Sequence, residues 1–288
     1  MTNQKLVYLN DNYIPEEKAT ISIFDRGFLF ADGVYEVIPV YEGQVLFLEE
    51  HLLRLQQNIE YLKINYSIDI QAWRTICNKL VNNSGPDCPI YIQITRGFEQ
   101  TRNHDYAAGI KPTIVAYCLP AIKLGSSLAN PPVKVITLQD NRWNHCNIKS
   151  IALLGNILLR QEGKRAGAEE VLLVRENGCI VEGSASNYFI VKDDVIMTPP
   201  LSNEILPGIT RQIIIELCNK NNLKLIEQSI NNELLINSDE VWLSSSTKEI
   251  RPVGIVNDTI INMGRPGPIW QKVANLYIDN IKQLIHGQ

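Results

Sequence analysis

Arg142-Trp-Asn-His-Cys-Asn-Ile-Lys149-Ser150 stands between an apolar stretch and a helical pattern, and Val181-Glu182-Gly-Ser-Ala-Ser-Asn187 opens a tight turn of small residues inside an apolar strand run. A single ammonium at Lys149 must sit by a charged partner, face water, or have its pKa lowered until it acts as an amine. Taken singly, most lysines are solvated, and so are most glutamates at strand edges. Taken together, Lys149 and Glu182 are the two protein groups that pyridoxal phosphate (PLP) requires. One is an amine able to form a Schiff base, the other a carboxylate able to pair the pyridinium nitrogen.

Working outward, the first half opens with strands. Val7-Tyr-Leu-Asn10-Asp11-Asn12-Tyr-Ile reads as two apolar runs about an Asn/Asp turn, a hairpin signature. Val34 to Tyr41, Glu42-Gly43 and Gln44 to Phe47 repeat the device. From Leu48 the period changes: Leu52, Leu55, Ile59 and Leu62 recur at helical spacing, and a second helix covers Ile70 to Val81. Pro89 to Thr95 and Thr113 to Tyr117 read as two further strands. Beyond them, Lys123-Leu-Gly-Ser-Ser-Leu-Ala-Asn-Pro-Pro132 clusters turn residues without an apolar period.

The second half mixes both kinds of element. Val133 to Leu138 is a short strand, and Ile151 to Arg165 is apolar at most positions, so a largely buried helix is expected. Val171 to Val174, Asn177-Gly178 and Cys179 to Val181 form a hairpin, and Asn187 to Val191 with Val195 to Met197 continue the meander. Helices are expected from about Ile209 to Asn219 and from about Ile269 to Ile285, with a strand at Val241 to Leu243. The fold class is α+β (mixed α/β) in two domains: an N-terminal α/β domain over 1–120, a linker over 121–132, and a C-terminal cofactor-binding domain over 133–288.

Composition narrows the function classes. At 288 residues with 45% hydrophobic and 20% charged, the chain has material for two cores and is not a disordered type. The net charge of −4 without a Lys/Arg run argues against a nucleic-acid partner. No apolar segment approaches the length of a bilayer span, and the N-terminus lacks the apolar core of a signal peptide. Six cysteines without CxxC or metal spacing, and only four histidines, leave no metal site in view. Their scatter through apolar segments fits buried, reduced thiols, and the expected compartment is the cytoplasm.

Two groups of residues suit anions. Gly208-Ile209-Thr210 at a helix start offers free amides and a favourable dipole, Ser244-Ser-Ser-Thr247 at a strand end adds hydroxyls, and Arg54 on a helix can supply the charge. Either motif alone reads equally well as an ordinary polar turn. No Gly-x-x-x-x-Gly-Lys-Ser/Thr or Gly-x-Gly-x-x-Gly pattern competes for a nucleotide. Arg102 and His104, two apart on a polar loop, form a second candidate clamp for a carboxylate, and a solvated loop neutralised by Asp105 is as good a reading of the same residues.

At this point the residues match a family. Phe24-Asp-Arg-Gly-Phe-Leu-Phe-Ala-Asp-Gly33-Val-Tyr35-Glu, His51-Leu-Leu-Arg54, Thr95-Arg96-Gly, Arg102-Asn-His104, Arg142-Trp143, Ile148-Lys149-Ser150, Glu182-Gly-Ser-Ala-Ser-Asn187 and Leu206-Pro-Gly-Ile-Thr210 agree in order and spacing. The chain resembles the fold-type IV PLP-dependent aminotransferases, and within them the D-amino acid (D-alanine) transaminases, from Tyr8 to about Gly254. The resemblance implies that Lys149 carries PLP, that Glu182 pairs the pyridine nitrogen, and that Arg54, Ile209, Thr210 and Ser246 hold the phosphate. It implies that Tyr35, Arg102 and His104 bind the substrate α-carboxylate, the Arg102 loop coming from the neighbouring subunit of a homodimer. The substrates implied are a D-amino acid and a 2-oxo acid such as 2-oxoglutarate. Ala185 in the small-residue turn, and His145 and Asn147 before the lysine, depart from the family's common pattern. Two alternatives share the scaffold: a branched-chain L-amino acid aminotransferase, against which Arg102-Asn-His104 argues, and a 4-amino-4-deoxychorismate lyase. A protein that binds PLP without turnover leaves the coincidence of these groups unexplained.

Overall fold

A computed structural model describes residues 4–287, which fall into two compact units. Unit 1 is Met1–Lys123 with Ile148–Ala152, and unit 2 is Leu124–Asn147 with Leu153–Gln288. Residues 148–152 thus leave the second half of the sequence to pack with the first, which a single boundary at 133 does not provide for. The segment expected as a linker is divided as well. Its residues from Leu124 onward belong to unit 2, where Ser126–Ala129 form a short helix whose first amides, Gly125 and Ser127, donate to the buried carboxylate of Glu249 at 2.7 and 3.0 Å.

Unit 1 contains β1 (Leu6–Leu9), β2 (Asn12–Pro15), α1 (Arg26–Phe30), β3 (Gly33–Ile38), β4 (Val40–Tyr41), β5 (Gln44–Val45), α2 (Leu48–Tyr61), α3 (Ile70–Ser84), β6 (Ile90–Thr95) and β7 (Thr113–Cys118). Its five-stranded antiparallel sheet runs in the order β2-β1-β7-β6-β3. The β1–β2 turn takes positive φ at both Asn10 (46°) and Asp11 (69°), residue types that tolerate the left-handed region. Strand alternation splits β3: Val34, Glu36 and Ile38 are buried while Tyr35 and Val37 are half-buried on the other face. The buried face packs Val34, Ile38, Ile90, Ile92 and Ile94 against Leu52, Leu55 and Ile59 of α2 and Trp73, Cys77 and Leu80 of α3. Each such side chain contributes about 1.5–3 kcal/mol by leaving water. The opposite face carries an aromatic row, Tyr35–Tyr91–Tyr117, with ring centroids 5.6 and 5.1 Å apart.

Unit 2 contains α4 (Ser126–Ala129), β8 (Val133–Gln139), α5 (Leu154–Arg165), β9 (Glu170–Val174), β10 (Cys179–Gly183), β11 (Asn187–Lys192), β12 (Val195–Thr198), α6 (Ile209–Lys220), β13 (Leu225–Glu227), β14 (Ile230–Asn231), α7 (Asn232–Ile236), β15 (Glu240–Ser245), β16 (Glu249–Val256), β17 (Thr259–Ile260) and α8 (Pro268–His286). A ten-stranded sheet orders them β13-β12-β11-β15-β16-β8-β9-β10-β14, with β17 beside β16. The β16–β8–β9 and β12–β13 pairs are parallel and the remainder antiparallel, which is the mixed α/β class. Glu240 accepts from the Ile269 and Trp270 amides at 2.9 and 2.7 Å and so caps α8, whose first residue is Pro268.

One helix departs from expectation. Within the stretch 151–165 the helix spans only Leu154–Arg165 and buries just Leu159 and Gly163, whereas Leu154, Ile157 and Leu158 are 70, 52 and 53% exposed. The reason is one-sided packing: a Cβ on Gly163 would lie 2.4 Å from Val171 Cγ2, so the helix presses one stripe onto β9 and turns its leucines outward. The cysteines, all free, are buried at Cys77, Cys146 and Cys218 and half-buried at Cys88, Cys118 and Cys179. No described helix is long and apolar enough to cross a membrane.

Candidate active site

In unit 1, Lys149 is placed by backbone pairing. Its carbonyl accepts from the Tyr35 amide at 3.0 Å, the Ile151 amide donates to Gly33 O at 3.0 Å, and Val34 bridges Ser150. Gly33 makes this approach possible, because a Cβ there would sit 2.7 Å from the Ile94 carbonyl oxygen. The half-buried Lys149 ammonium lies 4.2 Å from the Tyr35 ring centre, and among the described residues no carboxylate pairs with it. It is therefore held over an aromatic face and not locked in an ion pair.

Behind β3 lies a buried charge cluster. Arg54 donates from Nε and Nη2 to the two Glu36 oxygens, both at 2.7 Å, and His51 Nδ1 lies 2.7 Å from Glu36 Oε2. Burial alone would raise the Glu36 pKa, but Arg54 and then His51 outweigh it and hold the carboxyl well below its ordinary range. Burial, joined by the charges of Arg54 and Lys149, lowers the His51 pKa in spite of Glu36. The second ring nitrogen of His51, Nε2, is buried without a hydrogen-bond partner. Sequence reading placed Arg54 but missed Glu36 and His51 as its partners; both stand inside the quoted motifs, yet nothing in their spacing signals the contact.

Tyr35, Arg102 and His104 do not form one contact group. Tyr35 stacks in its aromatic row, while Arg102 and His104 are exposed and gather about Phe30. The Arg102 guanidinium carbon lies 5.1 Å from the Phe30 ring centre and the His104 ring 5.4 Å from it, edge-on.

In unit 2, Glu182 closes β10 and is buried within a chain of charges. Arg142 Nη1 donates to Glu182 Oε1 at 2.8 Å, and Asp140 holds Arg142 through Nε and Nη2 at 3.0 and 2.9 Å. Arg175 approaches Asp140 at 3.2 Å from behind. The other Glu182 oxygen accepts from the Leu206 amide at 2.9 Å. Burial pushes the Glu182 carboxyl above its ordinary range, and Arg142 and the Leu206 amide offset that rise only in part. Sequence reading quoted Arg142 without a role and missed Asp140; the tell was only that a polar run precedes Lys149.

The turn after Glu182 is tied down from below. Ser184 and Ser186 hydroxyls donate to the buried Glu170, the second at 3.3 Å, and Ala185 between them contributes no such bond. Asn187 Nδ2 donates to Leu206 O at 3.0 Å, and a Cβ on Gly208 would meet Asn187 Oδ1 at 2.0 Å, so a larger residue at the entry to α6 would displace this side chain. No side chain caps α6, and its first turn carries no acidic residue, so the amides at Ile209 and Thr210 begin a helix of 12 residues open to an anion. Thr210 is buried, with its hydroxyl near the Tyr277 phenol, and Ser246 is half-buried in the turn after β15. His145 is exposed against Trp143. No cluster of metal-ligating side chains occurs among the described residues.

The family model for amino-transferase class IV matches residues 33–256, and the chain belongs to this family. A D-alanine aminotransferase of Bacillus licheniformis is 37% identical over 276 residues, which cover 96% of each chain. One of Listeria monocytogenes is 36% identical over 282 residues, again 96% of each. The crystal structure of Escherichia coli branched-chain amino acid aminotransferase shares the fold with a TM-score of 0.88, at 25% identity over 96% of this chain and 94% of that one.

The cofactor of this family is PLP, and each unit carries groups of the kind that it needs. In unit 1 no described carboxylate pairs with the lysine amine; in unit 2 the buried carboxylate at Glu182 is supported by Arg142, and an uncapped helix begins three residues beyond the Leu206 amide that Glu182 binds.

Proposed function

We propose that the chain is a D-amino acid transaminase, moving the amino group of D-alanine and related D-amino acids to a 2-oxo acid such as 2-oxoglutarate. The observation that carries this reading is the run of relatives named D-alanine aminotransferase at 32–37% identity along 93–96% of the chain. The likeness to a branched-chain enzyme is weaker in sequence, at 25%.

PLP, when bound, supplies a ring that withdraws electrons from the substrate Cα. Lys149 is the residue that carries it, and its Nζ is the general base that takes the Cα proton and returns it. The Tyr35 face keeps that nitrogen 4.2 Å from the ring centre, and no acid among the described residues pairs with it. Glu182 holds the pyridine nitrogen's proton, and Arg142 favours the ionised carboxylate that this requires. The Ile209 amide, Thr210, Ser246 and Arg54 hold the phosphate. Tyr35, Arg102 and His104 take the substrate carboxylate and thereby choose the face of Cα presented to the base.

The protein acts as a homodimer in which the Arg102 loop of one subunit serves the site of the other. The outward stripe Leu154, Ile157 and Leu158 on α5 supports a second copy as its cover. Six free cysteines support a reducing compartment, the cytoplasm. The test is direct: purified protein with D-alanine, L-alanine or L-leucine and 2-oxoglutarate, following the new 2-oxo acid. Turnover with D-alanine is expected; turnover with L-leucine alone would replace this reading by the branched-chain one.

A further inference from the structure

The loop bearing Arg102 and His104 is exposed at every residue from Thr101 to Gly109, with neither helix nor strand to hold it. A surface loop of this kind samples many conformations unless something ties its backbone. What ties it is Arg26, a guanidinium only 4% exposed at the first residue of α1. Its Nη1 donates to the Asn103 carbonyl at 2.7 Å and its Nη2 to the His104 carbonyl at 2.9 Å. Neutralising the cation does not require those bonds, because Asp32 accepts from Nε at 3.0 Å and Glu99 from Nη1 at 2.8 Å. The fork therefore spends two further donors on two consecutive peptide groups in the loop that carries the side-chain pair.

The other end of the same helix meets those side chains. Phe30 receives Arg102 at 5.1 Å and His104 at 5.4 Å, with Arg26 itself 4.9 Å from the ring centre. Glu99 also accepts from the Ala107 amide at 3.1 Å, and Tyr106 lies beneath Arg96 at 3.8 Å, which closes the loop at its far end.

We infer that Arg26 and Phe30 are the positioning residues of the carboxylate clamp: Arg26 fixes the backbone of Asn103 and His104, and Phe30 sets Arg102 and His104 side by side. The inference rests on the proposed role of Arg102 and His104. It assigns substrate affinity and handedness in part to two residues that touch neither substrate nor cofactor. Lysine cannot replace Arg26, since a point charge lacks the planar fork that reaches two carboxylates and two carbonyls together. Holding a guanidinium over a ring before substrate arrives lowers the ordering cost of binding.

The test uses the full-length holoenzyme and two mild variants, Arg26→Lys, which keeps the charge beside Asp32 and Glu99, and Phe30→Leu. Each should raise KM for D-alanine about ten-fold, through the loss of one charge-assisted bond in Arg26→Lys and of the cation–ring contact in Phe30→Leu, with kcat within about two-fold. The preference for D- over L-alanine should narrow, and the absorbance of the bound cofactor should stay as in the wild type. Amide hydrogen exchange across residues 99–107 should quicken in Arg26→Lys. Combining Arg26→Lys with Arg102→Ala should cost less than the two changes summed, because the first acts through the second. Unchanged exchange in the loop, or a fall in kcat with KM fixed, would overturn the inference. Faster exchange with unchanged KM and enantiomer preference would instead overturn the clamp role of Arg102 and His104, leaving the anchor standing.

Discussion

The two buried charge clusters and the Arg102 loop are built on opposite principles. Glu36 and Glu182 are 0 and 4% exposed, each stands on a strand, and each meets a guanidinium within 3 Å, Arg54 from α2 for the first and Arg142 from the segment before Lys149 for the second. Arg102 and His104 are exposed and sit on irregular backbone, and their side chains gather about the single ring of Phe30. On the roles proposed for Glu182, Arg102 and His104, the difference separates chemistry from selection. Proton handling at a buried carboxylate tolerates little movement, since each misplaced or unpaired charge is costly in a low dielectric. Choosing a substrate needs groups that can be exchanged without disturbing a core. The D-alanine aminotransferases and the branched-chain enzyme to which this chain is similar share one fold with different named substrates, as such a division allows.

If that division is right, substitutions should rank from the core outward. Lys149→Ala should abolish turnover while keeping the fold, because no other amine among the described residues stands over Tyr35. Borohydride reduction of the loaded wild type should label the Lys149 peptide. A label on another lysine would break the comparison at its root.

Next in size is a loss of stability. Glu36→Gln leaves Arg54 and His51 buried beside a neutral partner, which typically costs about 3–5 kcal/mol, readable by urea denaturation. The sign with pH follows from the depressed folded-state pKa of Glu36. Its contribution is complete above the unfolded value of about 4.3 and is lost as pH falls below that toward the folded pKa. The gap between wild type and variant should therefore be full at neutral pH and shrink on acidification below about 4.3. A gap independent of pH would show that the carboxylate charge is not what stabilises the cluster.

Glu182→Gln keeps size and polarity but removes the charge. Losing one such electrostatic contact typically costs about 2.7–4 kcal/mol in the barrier, and kcat should fall accordingly with cofactor retained. Unchanged turnover would remove Glu182 from the chemistry and make its chain to Arg142 and Asp140 purely structural.

How far the sequence reveals these two regions follows the same line. Strands with period-two patterns, the helices at Leu48 and Ile70, and the Asn10-Asp11 turn are local, and local spacing encodes them. Glu182 stands out because a charge interrupts apolar sequence, and Lys149 because it stands in the Ile148-Lys149-Ser150 motif. The partners do not stand out: Glu182 meets Arg142 from 40 residues away and Glu36 meets Arg54 from 18, and pairing across such spans leaves no periodic trace. The linker between the halves is hidden for the same reason, since the carboxylate that orders it, Glu249, lies more than 120 residues on. Helix α5 misleads in another way, because apolar composition tells that a face will be covered but not that this chain's own core is the cover.

On the exposed side the effects should be smaller. Arg102→Ala removes one charge-assisted contact to a carboxylate, worth about 1.5–3 kcal/mol, from kcat/KM for D-alanine. Affinity for PLP should change little, because the proposed phosphate contacts are elsewhere. An intact D preference in this variant would sink the clamp and move selection to Tyr35 or to the groups around Lys149.

The smallest expected effect is the most discriminating. His104→Ala should lower kcat/KM for D-alanine in the same direction as Arg102→Ala but by only about 0.5–1.5 kcal/mol, the value of a neutral hydrogen bond. Its side chain lies edge-on to Phe30, and its carbonyl is held by Arg26. Alanine keeps that carbonyl, so the loop backbone should stay anchored, and the change reports the imidazole alone. D- and L-alanine should then be compared in both variants. A loss confined to the D-enantiomer places His104 in selection, whereas an equal loss on both would make it a general binding group and leave handedness to Arg102. A loss as large as that of Arg102→Ala would mean that the two side chains act as one unit on their shared ring, and the ranking from core to surface would end at the loop and not at its single residues.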